Sequence, residues 1–264
     1  ISTEFSIKAI GGTAIVRFSI TPPKEQSEAT LTPQIKVNGK VYSDEVVRIA
    51  YEHIPLQTLI LPARAKLLKL EIEKKGEQIG FIEGAGDVIP ESLEQIGYKV
   101  TKIDPNTITA SSLAKFDAVV LGIRAYNILD VLKFKQPELL KYVENGGTLI
   151  SQYNTNRGLV IDNVAPFKLE LSRDRVTEED AKVEILDPKN PVLNTPNKIT
   201  QKDFENWEQE RGLYFPDKWA PEFTPIFAMH DENEAASKGS LLIAKYGKGH
   251  YIYTGLSFFR QFLD

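Results

Sequence analysis

Two different periods of apolar and polar residues divide the chain. From Thr13 to Ile20 (TAIVRFSI), Ala14, Val16, Phe18 and Ile20 alternate with Thr13, Ile15, Arg17 and Ser19, the period of two that suits a half-buried strand. Gln34 to Tyr42 (QIKVNGKVY) sets Asn38-Gly39 between two short β-prone runs. That pair is favoured in a two-residue type I′ hairpin, because both central positions need φ > 0. Lys66 to Ile72 reads as a further strand, and no stretch before Glu77 has helical spacing.

After Lys74-Lys75-Gly76 the pattern becomes one of strands alternating with helices, which predicts a parallel sheet covered on both faces. Ile79 to Ile82 is the first strand, Pro90 to Ile96 a short helix, Lys99 to Ile103 the second strand, and Phe116 to Leu121 (FDAVVL) a fully buried third. Pro137 to Glu144 (PELLKYVE) opens on Pro, carries apolar Leu139, Leu140 and Val143, and stops at Asn145-Gly146-Gly147, so a helix is expected there. Thr148 to Gln152 follows as a fourth strand, and Ser240–Ala244 with His250–Thr254 reads as a hairpin-like pair around Tyr246-Gly247-Lys248-Gly249. The expected organisation is a small β-sandwich (Ig-like) over 1–76, with short length suggesting strands upstream, and an α/β domain, flavodoxin-like in outline, over 77–264.

Composition agrees with two domains: 264 residues with 42% hydrophobic content are enough for two cores of ordinary size. A net charge of −4, with basic residues scattered among acids, offers no stripe for a phosphate backbone, so nucleic acid is not an expected partner. No apolar run reaches the roughly 18 residues of a membrane span. The chain opens at Ile1 without an initiator Met and reads as a processed protein or a piece of a longer one. The absence of Cys excludes disulfides, thiolate metal sites and a Cys nucleophile, and leaves the compartment open.

Open α/β sheets bind ligands at the carboxyl ends of their strands, and here those ends are polar. Glu83 and Asp87 follow the first strand, Arg124, Tyr126 and Asn127 the third (GIRAYN), and Gln152, Tyr153, Asn154 and Thr155 the fourth (QYNT). Arg173 and Arg175 (SRDR) and Trp207, Glu210, Arg211 and Tyr214 (WEQERGLY) extend the set. Such bidentate groups and aromatic faces suit a sugar or other polyol; arginines and acids pairing with one another to hold loops explain the same residues. The turn Gly84-Ala85-Gly86-Asp87 follows a strand and precedes a helix, as a pyrophosphate cradle does, with Asp104 where a ribose-binding acid would stand. Ile89 at the third glycine position, Pro90, and the charges of Glu83 and Asp87 speak against it, and a plain tight turn accounts for the residues.

Metal is not expected, since His53, His230 and His250 are the only histidines and none has a partner at ligand spacing. His250 reads as a packing residue of its strand, and His53 (YEHIP) as part of the joint between domains. No Gly-x-Ser-x-Gly elbow occurs, and the elbow region after the third strand carries Arg124, which is no nucleophile. Glu83, Asp87 and Glu210 are what remains for acid/base work.

The strings YEHIPLQT (51–58), GAGD (84–87), GIRAYN (122–127), QYNT (152–155), LSRDRVT (171–177), QERGLYF (209–215) and YGKGHYIYTGLSFF (246–259) resemble the C-terminal region of the large PIG-L (LmbE-like) deacetylases of Bacteroidetes-type bacteria. The resemblance runs from about residue 51 to the end. It implies a β-sandwich followed by a domain similar to class I glutamine amidotransferases and ThuA-like proteins, accessory to a zinc deacetylase domain whose His-Pro-Asp-Asp motif is absent here. It also implies a periplasmic or extracellular setting. In the amidotransferases a Cys on the elbow works with a downstream His and Glu; this chain has no Cys, so that activity is not carried over. The chain ends at Phe262-Leu263-Asp264, where such domains continue into a closing helix. The expected function is a non-catalytic accessory segment, without cofactor, that binds a glycan such as an N-acetylated amino sugar or docks on its catalytic domain. Two alternatives stay open: a hydrolase using Glu83, Asp87 or Glu210, and a nucleotide-binding module using GAGD.

Overall fold

The computed structural model describes residues 2–262; Leu263 and Asp264, on which the expectation about a closing helix falls, lie outside the described residues. Backbone contacts divide the chain into two compact units, Ile1–Ile72 and Glu73–Asp264.

The first unit contains β1 (Ser27–Leu31), β2 (Ile35–Val37), β3 (Lys40–Tyr42), β4 (Asp44–Ile49), β5 (Gln57–Pro62) and β6 (Ala65–Lys69). They pair antiparallel as three separate ribbons, β1 with β6, β2 with β3 and β4 with β5. The Asn38-Gly39 turn has φ of 48° and 83°, the left-handed pair that the hairpin sequence requires. In the region expected to form a sandwich, no described side chain is buried. Thr13–Ile20 is a correction: it forms no strand, and Ile15, Phe18 and Ile20 are exposed. Alternation prepares two faces, but a strand also needs a neighbour to pair its N–H and C=O groups, and among the described residues none pairs with this one.

The second unit begins with β7 (Gln78–Ile82), α1 (Ile89–Gln95), β8 (Lys99–Lys102), α2 (Ala110–Leu113), β9 (Ala118–Leu121), α3 (Ala125–Ile128), α4 (Leu132–Glu144) and β10 (Thr148–Gln152). It continues through β11 (Leu169–Val176), β12 (Glu184–Ile185), β13 (Gly212–Trp219), β14 (Phe223–Pro225), β15 (Phe227–Ala228), β16 (Leu241–Tyr246) and β17 (Gly249–Thr254). One seven-stranded sheet runs β14-β16-β17-β10-β9-β7-β8. Strands β8, β7, β9, β10 and β17 are mutually parallel, and β16 and β14 add an antiparallel edge. Numbered along the chain, the parallel strands stand in the order 2-1-3-4-5, the flavodoxin-like arrangement, with its switch point between β7 and β9.

Alternate residues of the buried run Ala118–Leu121 serve opposite faces of the sheet. Val119 and Leu121 join Ile82, Leu149, Tyr251 and Tyr253 in one core, which α4 closes with Leu132, Leu139 and Val143. Val120 joins Ile79, Phe81 and Ile89 of α1 in another. Helix α4 starts at Leu132, so Pro137 lies inside the helix and not at its first turn; the buried side chains of Leu132 and Gln136 hold the added turn in place. Between β10 and β16 the chain builds a third core around Val176, Phe204, Phe215, Phe227 and Met229, with β11 paired to β13 and β12 to β15.

Candidate functional site

The switch point brings the ends of β7, β9 and β10 together, and hydrogen bonds show what each rim residue does there. Gly84 is squeezed by the end of β9: a Cβ on it would lie 2.1 Å from the Ile123 carbonyl oxygen, and the next amide, of Ala85, donates to that oxygen at 2.8 Å. Gly86 has φ of 96°, in the left-handed range open to glycine, with free space around it. Asp87 then closes the turn. Its Oδ1 accepts from Ile89 N at 3.0 Å, and its Oδ2 accepts from Ile123 N and Gln152 Nε2, each at 3.2 Å. Burial raises its pKa above the ordinary carboxylate value, opposed by these hydrogen bonds. The first-turn amide of α1 that would hold a phosphate is thus taken by a carboxylate of the same turn. Asp104 caps the short turn Pro105–Thr107 by accepting from Asn106, which also lowers its pKa. The GAGD segment is a hinge that joins three strand ends.

At the elbow after β9, Arg124 adopts φ of 57°, a left-handed backbone on a side-chain-bearing residue, and its N–H donates to the Tyr153 carbonyl at 2.8 Å. Its side chain is exposed. The residues around it are fasteners. Asn154 accepts from Tyr126 N and donates to the Gln152 carbonyl, both at 2.9 Å. Asn127 accepts from Thr155 N and donates to the carbonyls of Thr155 and Arg157. Tyr126 is fully buried in the core. The strings GIRAYN and QYNT therefore match each other, loop to loop, and most of their polar groups are consumed in doing so. Gln152 is also buried, and its Oε1 has no hydrogen-bond partner among the described residues.

An aromatic stack rises beside the elbow. Tyr153 lies parallel to Tyr214 at 6.2 Å and to Phe259 at 5.5 Å between ring centroids. Glu210 closes this edge: its Oε1 accepts from Arg260 Nε at 2.6 Å and from Ser257 Oγ at 3.1 Å. Burial raises the Tyr153 pKa, while the charges of Arg124 and Arg260 oppose the rise. Glu83 is exposed and forms no hydrogen bond or ion pair among the described residues.

The other expected site residues lie elsewhere. Arg173 and Arg175 line a groove of about 410 Å³ with His230, where Arg175 meets Glu234 at 3.4 Å and Asp231 at 3.9 Å. Trp207 donates to the Asp203 carbonyl at 2.8 Å and packs on Phe204, while buried Arg211 donates to the carbonyls of Ala181 and Phe204. His250 is a correction, since it is exposed at the start of β17 rather than packed; the register sets its side chain on the solvated end of the strand. His53 stacks on Tyr51 at 5.8 Å. Sequence reasoning missed Ser257, Phe259 and Arg260. They follow the carboxyl end of β17, which the strand-end rule would have included had β17 been recognised as parallel to β10 and not only as half of a hairpin.

No protein-family model matches the chain, and no curated protein sequence does. Several solved structures are similar at low identity. A GMP synthase subunit from Thermoplasma acidophilum is 14% identical, with a TM-score of 0.45 over 71% of this chain and 90% of that one. A β-galactosidase from Rahnella sp. R3 is 14% identical, with a TM-score of 0.44 over 68% of this chain and 28% of that one. A ThuA-like protein from Bacteroides uniformis is 12% identical, with a TM-score of 0.39 over 70% of this chain and 84% of that one. The fold class of the second unit rests on its own strand order.

Proposed function

We propose that this chain is a non-catalytic accessory segment whose α/β unit binds a glycan at the elbow rim. The observation that carries the reading is the contrast at that rim between two acids in use, Asp87 and Glu210, and a cation left open. Asp87 accepts three N–H groups, and Glu210 is held by Arg260 and Ser257. Arg124, whose side chain is exposed, follows β9 and donates its N–H to the carbonyl of Tyr153, the ring of which stacks on half-buried Tyr214; a fork-shaped donor and a flat aromatic face suit a sugar ring and its acetamido or hydroxyl groups. The resemblance to the accessory region of PIG-L (LmbE-like) deacetylases supplies the finer reading: a segment that serves a zinc-dependent de-N-acetylase domain of the same protein, in a periplasmic or extracellular setting, on N-acetylated amino sugars.

The test is a thermal-shift titration with N-acetylglucosamine, its oligomers and ATP. At about 100 times Kd a ligand adds about 2.7 kcal/mol, a midpoint rise of about 5 °C for a unit of this size. An amino-sugar shift that Arg124→Ala removes without unfolding the protein supports the proposal. A shift with ATP alone would replace it by a nucleotide module, and no shift with any sugar would sink it.

A further inference from the structure

Arg211 follows Glu210 in the chain, yet its side chain belongs to a separate groove of about 490 Å³, lined also by Asp180, Lys182, Gln201, Phe204 and Asn206. Only 5% of Arg211 is exposed. Its Nε donates to the Ala181 carbonyl at 3.0 Å and its Nη1 to the Phe204 carbonyl, and the Trp207 ring lies 5.7 Å from the guanidinium carbon. Among the described residues no carboxylate forms an ion pair with it, and its Nη2 has no acceptor.

A guanidinium stays charged wherever it is placed, and a buried charge without a counter-ion is costly. Two backbone carbonyls fix this one in position, and the charge of Asp180 at the groove favours its ionised form without forming an ion pair with it, so its remaining donors stay unused. The groove in front of it is polar: Gln201 donates to the Val183 carbonyl, which leaves its own carbonyl oxygen to face other partners, and Lys182, Asp180 and Glu205 are exposed around the opening. A carboxylate fits the free donors of Arg211, because planar oxygens match the guanidinium fork. The two acids around the opening disfavour a second negative charge on the same ligand.

We propose that this groove is a binding site for a small carboxylate ligand whose other end is neutral or cationic, its carboxylate on Arg211 and its far end near Asp180 and Glu205. The site is independent of the rim reading, and its failure is separable from that of the rim.

The experiment is thermal unfolding of the full chain with γ-aminobutyrate, with butylamine (no carboxylate) and with succinate (two carboxylates). γ-Aminobutyrate should raise the midpoint saturably, by about 5 °C at about 100 times Kd, butylamine should not, and succinate should do so less. Lys182→Glu sets a further negative charge at the groove on an exposed side chain and should weaken the γ-aminobutyrate effect about tenfold, while Arg124→Ala should leave it unchanged. Equal shifts with butylamine, no shift with either carboxylate, indifference to Lys182→Glu, or loss of the shift in Arg124→Ala would each overturn the proposal.

Discussion

Arg124 follows the end of β9 and Asp87 accepts from Ile123 N at that same end, and each bears a cost that a neutral, relaxed residue would avoid. A left-handed backbone costs a side-chain-bearing residue about 1–2 kcal/mol, and Arg124 takes this conformation at φ of 57°. Replacing it by glycine should therefore stabilise the fold by about 0.5–1 kcal/mol, after the extra freedom of glycine in the unfolded chain is counted, while ligand binding at the rim is lost. Urea unfolding of Arg124→Gly reads the first effect and the thermal-shift titration the second; a less stable variant would show that the guanidinium holds the fold together. For Asp87, burial raises the folded pKa above the ordinary 3.8. In the pH window from that value up through the folded pKa, the native state holds a proton that the unfolded chain has released, so stability falls as pH rises. Asp87→Asn should remove this downward slope from urea midpoints measured across the window. An unchanged slope would assign it to other groups.

The turn between β7 and α1 shows how an element is specified by two glycines of different kinds. Gly86 needs its freedom of φ, and Gly84 needs its lack of a side chain, because the Ile123 carbonyl and Gly122 occupy the place of a Cβ. Gly86→Ala should cost about 1 kcal/mol as backbone strain. Gly84→Ala forces the ends of β7 and β9 apart and should cost about 2–4 kcal/mol. Chemical denaturation of the two variants checks the order; equal costs would mean that the strand ends relax freely. A similar contact limits α4, where a Cβ on Gly147 would lie 2.2 Å from the Tyr142 ring, so the Asn-Gly-Gly stop read from sequence serves packing as well as chain reversal.

Across the whole molecule, buried side chains are distributed unevenly. Every buried apolar residue described lies at Ile79 or beyond, whereas most of the exposed large apolar residues fall within the first 72. Isolated two-stranded ribbons are marginal by themselves, and cooperative resistance to opening comes from buried contacts. Limited proteolysis should therefore cleave first within 1–72 and leave a resistant fragment that starts near Glu73, identified by mass spectrometry. Early cleavage inside the seven-stranded sheet would contradict this division of stability.

Four of the five parallel strands, β7 to β10, and the Asn-Gly hairpin were legible in the chain because their signals are local: an apolar run such as FDAVVL, a pair of residues that tolerates φ > 0, a glycine stop. The strand-end rule likewise picked out GIRAYN and QYNT, since it needs only the order of elements. Thr13–Ile20 misled because alternation describes one strand, and pairing requires another. His250 misled because period alone does not say where along a strand the solvent begins. Arg173, Arg175 and Arg211 could not be sorted from Arg124 in sequence, as all four are arginines in polar strings, and only their neighbours differ. By itself the sequence determined β7 to β10 and the positions of α1 and α4 between them, that no thiol chemistry is available, and that an arginine stands at the elbow. Tertiary structure decided which polar groups remain free, because hydrogen bonds between residues distant in the chain, such as Asp87 to Gln152 and Glu210 to Arg260, exist only once the sheet brings their loops to one edge.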